Sequence, residues 1–490
     1  MKVLLVYPVT PDTFWSFKHA LRFVSKRAAF PPLGLLTIAA FFPPDWQIKL
    51  VDMNVDRLTD EDLRWADYVM ISAMIVHKEA IPHIIERCRQ FGRPVIAGGP
   101  LFTTGHEAFA DIDHFVLGEA ETLMPQLVED MRGGNLRPIY SALSRPDVAC
   151  VPVPRWDLID FRHYVTMSVQ FSRGCPFDCE FCDIVVMNGR VPRTKSPSQL
   201  IAELEQLRQR GWKDMVFVVD DNFIGNKNHA KALLRDLVRW RSRTHTKMSF
   251  MTEASANVVD DSELCDLMVR AGFKKVFVGF ETPSAESLEE CKKVQNCGRD
   301  LVVTVKTLQQ AGLEVMGGFI VGFDSDPMDI FKRQFEFIQR SGVVTAMVGL
   351  LNALPETRLY HRLLKEGRIE EESTGNNTQA TLNFRPTLDR EFLVNGYREL
   401  MKQLYEPHNY YQRIRTFLKH NKPSGPRLRL AWSDFQAFLK SLWLLGAWHR
   451  GRLAYWRFCI TTLLRRPRQF HRAIALAIVG HHFRHVAKSL

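Results

Sequence analysis

Gly174-Cys175-Pro176-Phe177-Asp178-Cys179-Glu180-Phe181-Cys182-Asp183 sets three cysteines in a C-x3-C-x2-C run, with no fourth cysteine nearby. Thiolates hold iron–sulfur clusters, and a closed four-iron cluster takes four ligands. Three ligands leave one iron with a free coordination position, open to a substrate or cosubstrate. The competing reading is structural zinc, which wants a full set of four Cys or His ligands; no neighbouring residue completes one. Cys175, Cys179 and Cys182 are therefore read as ligands of a 4Fe-4S cluster.

Outward from this loop the chain alternates strand-like and helix-like runs. Downstream, the spacing predicts strands opening at 165 and over 215–219, 247–252, 275–279, 314–321 and 344–350. Helices over 197–210, 227–240, 260–271, 299–311, 327–341 and 357–366 separate or close them. Six strand–helix steps over 164–375 place the cysteines after the first strand and stop two steps short of a closed eight-step barrel. Upstream, residues 1–136 read as an α/β, Rossmann-like unit with strands over 2–7, 48–52, 68–72, 94–98 and 114–117. The helices there fall over 35–42, 81–91 and 121–132. Such a parallel sheet binds ligands beyond the carboxyl ends of its strands. Those ends carry Pro8, Asp52, Ser72, Gly98, Gly99, Gly118 and Glu119. Residues 137–163, with Pro138, Pro146, Pro152 and Pro154, read as a linker. Residues 376–490 read as a helical region, broken by Pro and Gly at 423–426.

Composition is globular, and the other six cysteines are scattered. This excludes a disulfide-dense secreted framework and fits a reducing cytoplasm. Met-Lys-Val-Leu-Leu-Val-Tyr-Pro at the start reads as a first strand and not a signal peptide, and no apolar run is long enough to span a bilayer. The net charge of +11 is local: from Tyr411 onward there are 16 Lys and Arg against Asp434 alone. That tail interleaves its charges with Trp432, Phe435, Phe438, Trp443, Trp448, Trp456 and Phe458. Basic and aromatic residues together suit an anionic membrane surface, which would put the chain peripherally on the inner face of the membrane. A packing subdomain competes with this reading; the tail is too apolar for a nucleic-acid arm.

The cysteine spacing resembles that of radical S-adenosylmethionine (SAM) enzymes. The sheet–linker–cysteine order resembles, more narrowly, the cobalamin-binding members of that superfamily. Gly189-Arg190-Val191-Pro192-Arg193-Thr194-Lys195, Val219-Asp220-Asp221-Asn222-Phe223 and Phe30-Pro31-Pro32-Leu33-Gly34 are similar to the branch containing hopanoid C-2 methylases, over roughly residues 1–420. The resemblance implies a partial (β/α)6 barrel whose open iron is chelated by SAM, one electron from flavodoxin or ferredoxin then giving a deoxyadenosyl radical. It implies SAM contacts at Phe181, Asp220, Asp221, Glu253, Glu281, Gly318 and Gly322. Arg193 and Lys195 would pair with the SAM carboxylate or lie on a solvated loop. Cobalamin would lie on the first sheet against Pro8, Asp52, Ser72, Gly98, Gly99, Gly118 and Glu119. The Asp-x-His-x-x-Gly run that supplies an axial histidine is absent; Asp12 and His19 stand seven apart without it. The implied reaction is methyl transfer to an unactivated sp3 carbon of a small molecule or a lipid such as a hopanoid. The alternative is a cyclisation or ring rearrangement without methyl transfer.

Overall fold

Two parallel sheets, each of six strands among the described residues, form the centres of the two halves of the chain. The computed structural model describes residues 1–142, 144–422, 432–448 and 450–490; the break expected at 423–426 lies outside them. In the first half β1 (Lys2–Tyr7), β2 (Gln47–Asp52), β3 (Tyr68–Ser72), β4 (Val95–Gly98), β5 (His114–Leu117) and β6 (Ile139–Ser141) run in the order β2-β1-β3-β4-β5-β6. Side chains alternate across it. Leu4, Val6, Val69 and Ile71 pack on one face, and Val3, Leu5, Met70 and Ile96 on the other, as a sheet covered on both faces requires. The order reverses between β1 and β3, where doubly wound sheets hold their ligands.

The stretch that reads as a linker begins instead with β6, paired to β5 at Phe115, Val116 and Leu117. Pro138 hides this strand from a sequence pattern, because proline cannot donate to a ladder. At the sheet edge it only has to accept, and its carbonyl takes Phe115 N–H at 2.8 Å.

In the second half β7 (Met167–Val169) leads to a short antiparallel pair, β8 (Ser172–Arg173) and β9 (Arg193–Thr194), that brackets the cysteine loop. The strands β10 (Met215–Val218), β11 (Ser249–Glu253), β12 (Phe273–Glu281), β13 (Glu314–Val321) and β14 (Ala346–Leu350) follow in chain order from β7. Each neighbouring pair is parallel, giving a partial (β/α)6 barrel; β7 and β14 do not pair with each other among the described residues. An unpaired strand edge must be covered. The helix Arg390–Tyr405 covers β14, with Tyr397 Oη donating to Val348 O at 3.0 Å and Tyr405 Oη to Ala346 O at 2.5 Å.

The C-terminal helical region shares the barrel's core. Its last helix, Phe470–Ser489, returns to the N-terminal segment, where Phe483 stacks on Phe14 and His482 Nε2 donates to Thr13 O at 2.9 Å. Two of the charges counted to the tail are therefore interior. Arg413 is fully buried and donates to Leu404 O, Val344 O and Gln339 Oε1. Arg484 donates to Tyr405 O. Most of the apolar run 473–479 is core as well, so that run is not part of a surface. No helix among the described residues is long and apolar enough to cross a membrane.

Candidate functional site

The cysteine loop leaves β8 through Gly174, at φ +97, where a Cβ would fall 2.9 Å from the carbonyls of Gly189 and Val191. Only glycine lets the two ends of the loop close this tightly. Cys175 N–H then donates to Gly189 O, and the helix Ile184–Asn188 carries the chain back to β9. Burial raises the Cys175 and Cys182 thiols above their ordinary range, so in this environment thiolates need a cation beside them. Two amides aim at the sulfurs: Asn222 Nδ2 at Cys175 Sγ and Gln295 Nε2 at Cys179 Sγ, both at 3.7 Å. Amide donors to sulfur are the second layer that a cluster thiolate uses. Among the described residues the thiols are not already converged as a closed metal site. Their donor chemistry fits an iron–sulfur cluster.

Behind the loop, acidic side chains gather at the carboxyl ends of β10 and β11. Asp220 is fully buried, and its carboxylate accepts Phe171 N–H (2.7 Å), Ser172 N–H (2.9 Å) and Ser172 Oγ–H (2.7 Å). It ties β10 to the start of the loop, and burial still pushes it up to about 7. Asp221 accepts Asn188 Nδ2–H at 3.0 Å and is raised by burial to about 6. Glu253 is raised furthest, to about 8, by burial and then by the charges of Asp221 and Asp220. Three carboxyl groups that repel one another in a dry site suit a ligand bearing positive charge and hydroxyl donors. Opposite them Glu281, at a left-handed φ of 63°, pairs with Lys293 at 2.6 Å. Burial opposes the Lys293 charge, but Glu281 and then Cys179 hold its pKa above the usual range. Its ammonium lies 5.8 Å over the Phe181 ring. Gly318 and Gly322 close β13: a Cβ at Gly318 would fall 2.8 Å from Phe277, and Gly322 N–H donates to Asp326 at 2.7 Å.

A cavity of about 340 Å³ joins the two halves. Ser72, Gly98, Gly99, Gly118 and Glu119 line it from the first sheet, and Gln170, Arg173, Met187 and Asn188 from the loop side of the barrel. Its sheet wall is apolar, through Met70, Ile96 and Val116, and Gly34 and Gly118 leave open space where side chains would stand. Such a wall, over β3, β4 and β5 and beside the switch point, fits the close approach of a large group. Pro8 and Asp52 stay outside this lining. Asp52 accepts from Asn54 and from Tyr164 Oη, and Pro8 O accepts Asn54 Nδ2–H. His19 is likewise committed elsewhere, bonded to Asp12 at 3.0 Å and stacked on His485.

Ion pairs bolt the two walls together. Arg173 reaches Glu119 at 2.7 Å and Glu121 at 2.5 Å, and Arg193 reaches Glu119 at 2.5 Å. Burial would raise Glu121, but the Arg173 guanidinium holds it below its ordinary value. Of the two readings of Arg193 and Lys195, the solvated loop is corrected: Arg193 pairs with Glu119, and Lys195 is buried against Glu203 at the cavity wall. Asn222 lies in the run 219–223 that the sequence already singled out, without a role of its own; Arg173, Lys293 and Gln295 were missed, and of these only the position of Arg173 beside the cysteine run offered a signal.

The chain matches the family model described as the B12 binding domain over residues 24–128 and that of the radical SAM superfamily over 169–338. Residues 357–490 match a family described only as a domain of unknown function. An uncharacterised methyltransferase of Synechocystis sp. is 42% identical, covering 99% of this chain and 91% of its own length. The hopanoid C-2 methylase of Rhodopseudomonas palustris is 32% identical, covering 98% and 92%. Among solved structures, the cobalamin-dependent SAM radical enzyme OxsB superposes with a TM-score of 0.63 at 14% identity, over 100% of this chain and 80% of that one. The radical SAM methyltransferase TsrM of Kitasatospora setae gives 0.62 at 15%, over 93% and 98%. These two likenesses speak for the fold.

Proposed function

We propose that this chain, which belongs to the cobalamin-binding radical SAM family in the branch of the hopanoid C-2 methylase, methylates an unactivated sp3 carbon of a lipid. It is a cobalamin-dependent radical SAM C-methyltransferase, and its cofactors are a 4Fe-4S cluster, SAM and cobalamin. When bound, these groups supply hydrogen-atom abstraction and a transferable methyl group. The observation that carries the finer reading is the cavity shared by the glycine-rich sheet edge and the barrel wall at the two ends of the cysteine loop.

The chain's own residues give this arrangement its rigidity. Asn222 and Gln295 orient the sulfurs of Cys175 and Cys179. Asp220 holds the backbone of Phe171 and Ser172, and with it the start of the loop. Asp221 and Glu253 would offer carboxyl oxygens to SAM, and Lys293 is held by its pair with Glu281. Arg173 and Arg193 keep the two cofactor walls in register, which is where positioning contributes most to a reaction between separately bound groups. A flavodoxin or ferredoxin would deliver the electron, and a lipid substrate would bring the chain to the inner face of the membrane.

The test is anaerobic reconstitution with iron, sulfide and cobalamin, followed by reduction with SAM and a desmethyl hopanoid. Release of both deoxyadenosine and S-adenosylhomocysteine, with a methylated product, is expected. Deoxyadenosine without S-adenosylhomocysteine would replace methyl transfer by a rearrangement, and neither product from any lipid would overturn the substrate class.

A further inference from the structure

We infer that the outward stripe formed by the helices Trp432–Trp443 and Arg452–Arg465 is a docking surface for an anionic membrane leaflet; this deepens, and rests on, the reading of the substrate as a lipid. Soluble helices bury their apolar face. The helix Arg452–Arg465 has two. Tyr455, Phe458, Cys459 and Thr462 are buried, with Phe458 stacked on Tyr411 and Tyr455 bonded to Ser441. On the opposite side Leu453 (80% exposed), Trp456, Ile460, Leu463 and Leu464 (77%) face outward. At 3.6 residues per turn these five fall on one stripe, and the exposed Arg452 and Arg457 border it on either side.

The helix Trp432–Trp443 repeats the pattern, with Trp432 (70% exposed), Phe435, Leu439 and Trp443 at i, i+3, i+7 and i+11. A π-helical turn, Leu444–Trp448, joins the two stripes: Trp443 packs edge-on against Trp448, and Trp456 Nε1–H donates to Gly446 O. The result is a continuous exposed face of tryptophans and leucines, built on a subdomain that buries Arg413 and Arg484.

Charge decides what covers it. From Tyr411 onward the acidic complement is Asp434 alone, while Arg450, Arg452, Arg457, Arg465 and Arg468 are all exposed. A second copy would set these arginines against their own kind, whereas anionic headgroups neutralise them. Tryptophan at the rim and leucine between suit the boundary of headgroup and acyl chain. Neither helix is built to cross the bilayer, so the face lies on it. The helix Trp432–Trp443 also packs on Lys18–Val24, the helix that follows the loop leaving β1.

Flotation of the full chain with vesicles of phosphatidylcholine, with and without about one third phosphatidylglycerol, tests this. Wild type should float with the anionic vesicles, less with the neutral ones, and less again in salt. Leu453→Ser with Leu464→Ser should weaken flotation at least about tenfold, at unchanged melting temperature because both side chains already face solvent. Arg452→Gln with Arg457→Gln should lose about fivefold per arginine on anionic vesicles and little on neutral ones. Failure of wild type to float, variants that float like wild type, or a dimer in gel filtration that Leu453→Ser and Leu464→Ser dissolve would each overturn the inference. The two proposals fail separately. A chain that methylates detergent-solubilised substrate but does not float loses the docking surface alone, and one that floats but forms no S-adenosylhomocysteine loses methyl transfer alone.

Discussion

Arg173→Met removes the cation that bridges the first sheet to the barrel, and its cost follows from what each partner keeps. Glu119 retains Arg193, at 2.5 and 3.0 Å. Glu121 is only 6% exposed, and Arg173 is the cation in contact with it. One carboxylate is thus left buried without its partner, and breaking a pair of this kind typically costs about 3–5 kcal/mol. Arg173→Lys should lose about half as much, because an ammonium cannot reach two carboxylates in a fork as a guanidinium does. Adding Glu121→Met to Arg173→Met should return most of the loss, since an apolar pair of similar volume needs no counter-charge. The assay is urea unfolding followed by circular dichroism in the cofactor-free chain, together with retention of cobalamin through gel filtration after loading. A coupling energy of at least about 1 kcal/mol between the two sites is expected from the double-mutant cycle. Variants within about 0.5 kcal/mol of wild type, or purely additive effects, would refute the reasoning that these ion pairs hold the walls together.

Two further perturbations probe the barrel. Gly279→Ala would put a Cβ 2.3 Å from Glu281 Oε1 and 3.0 Å from Lys293 Nζ, so the ion pair must move. A loss of about 1–3 kcal/mol in thermal stability with slower deoxyadenosine formation is expected, whereas unchanged turnover would remove the pair from the site. Glu314 is buried on β13, where Lys275 and Arg472 outweigh desolvation and hold its carboxyl below the ordinary 4.5. A depressed carboxyl adds stability that is complete above its unfolded pKa and is lost as pH falls through the folded value. The melting-temperature gap between wild type and Glu314→Gln should therefore be full at about pH 6 and shrink below about pH 4.5. A gap that widens in acid would contradict the sign.

Where the sequence was legible, the signal was local and periodic. β1, β3, β5 and β13 fall on the runs 2–7, 68–72, 114–117 and 314–321, because each is a β-branched or apolar run bounded by a turn or a charge. The cysteine run stands out in the sequence because its spacing is a property of neighbours. β6 does not, since proline at an edge imitates a linker. The site's ion pairs were the least legible: Glu119 meets Arg173 and Arg193 across 54 and 74 residues, and no local pattern marks a charge whose partner lies in another sheet. The Lys195–Glu203 pair is only eight residues apart, yet packing alone shows that it is buried. The tail divides along the same line. Its composition showed basic and aromatic character, but only packing separates the interior Arg413 and Arg484 from the outward Arg452 and Arg457.

The central claim is that one chain holds an open-site cluster on Cys175, Cys179 and Cys182 and a cobalamin against the first sheet. Iron and cobalamin counts on anaerobically reconstituted wild type and on the Cys175→Ala, Cys179→Ala, Cys182→Ala triple variant test it directly. The account predicts about four irons per chain in wild type and none in the variant, with cobalamin retained by both. Iron that survives the triple substitution, or wild type that binds no cobalamin, would contradict it.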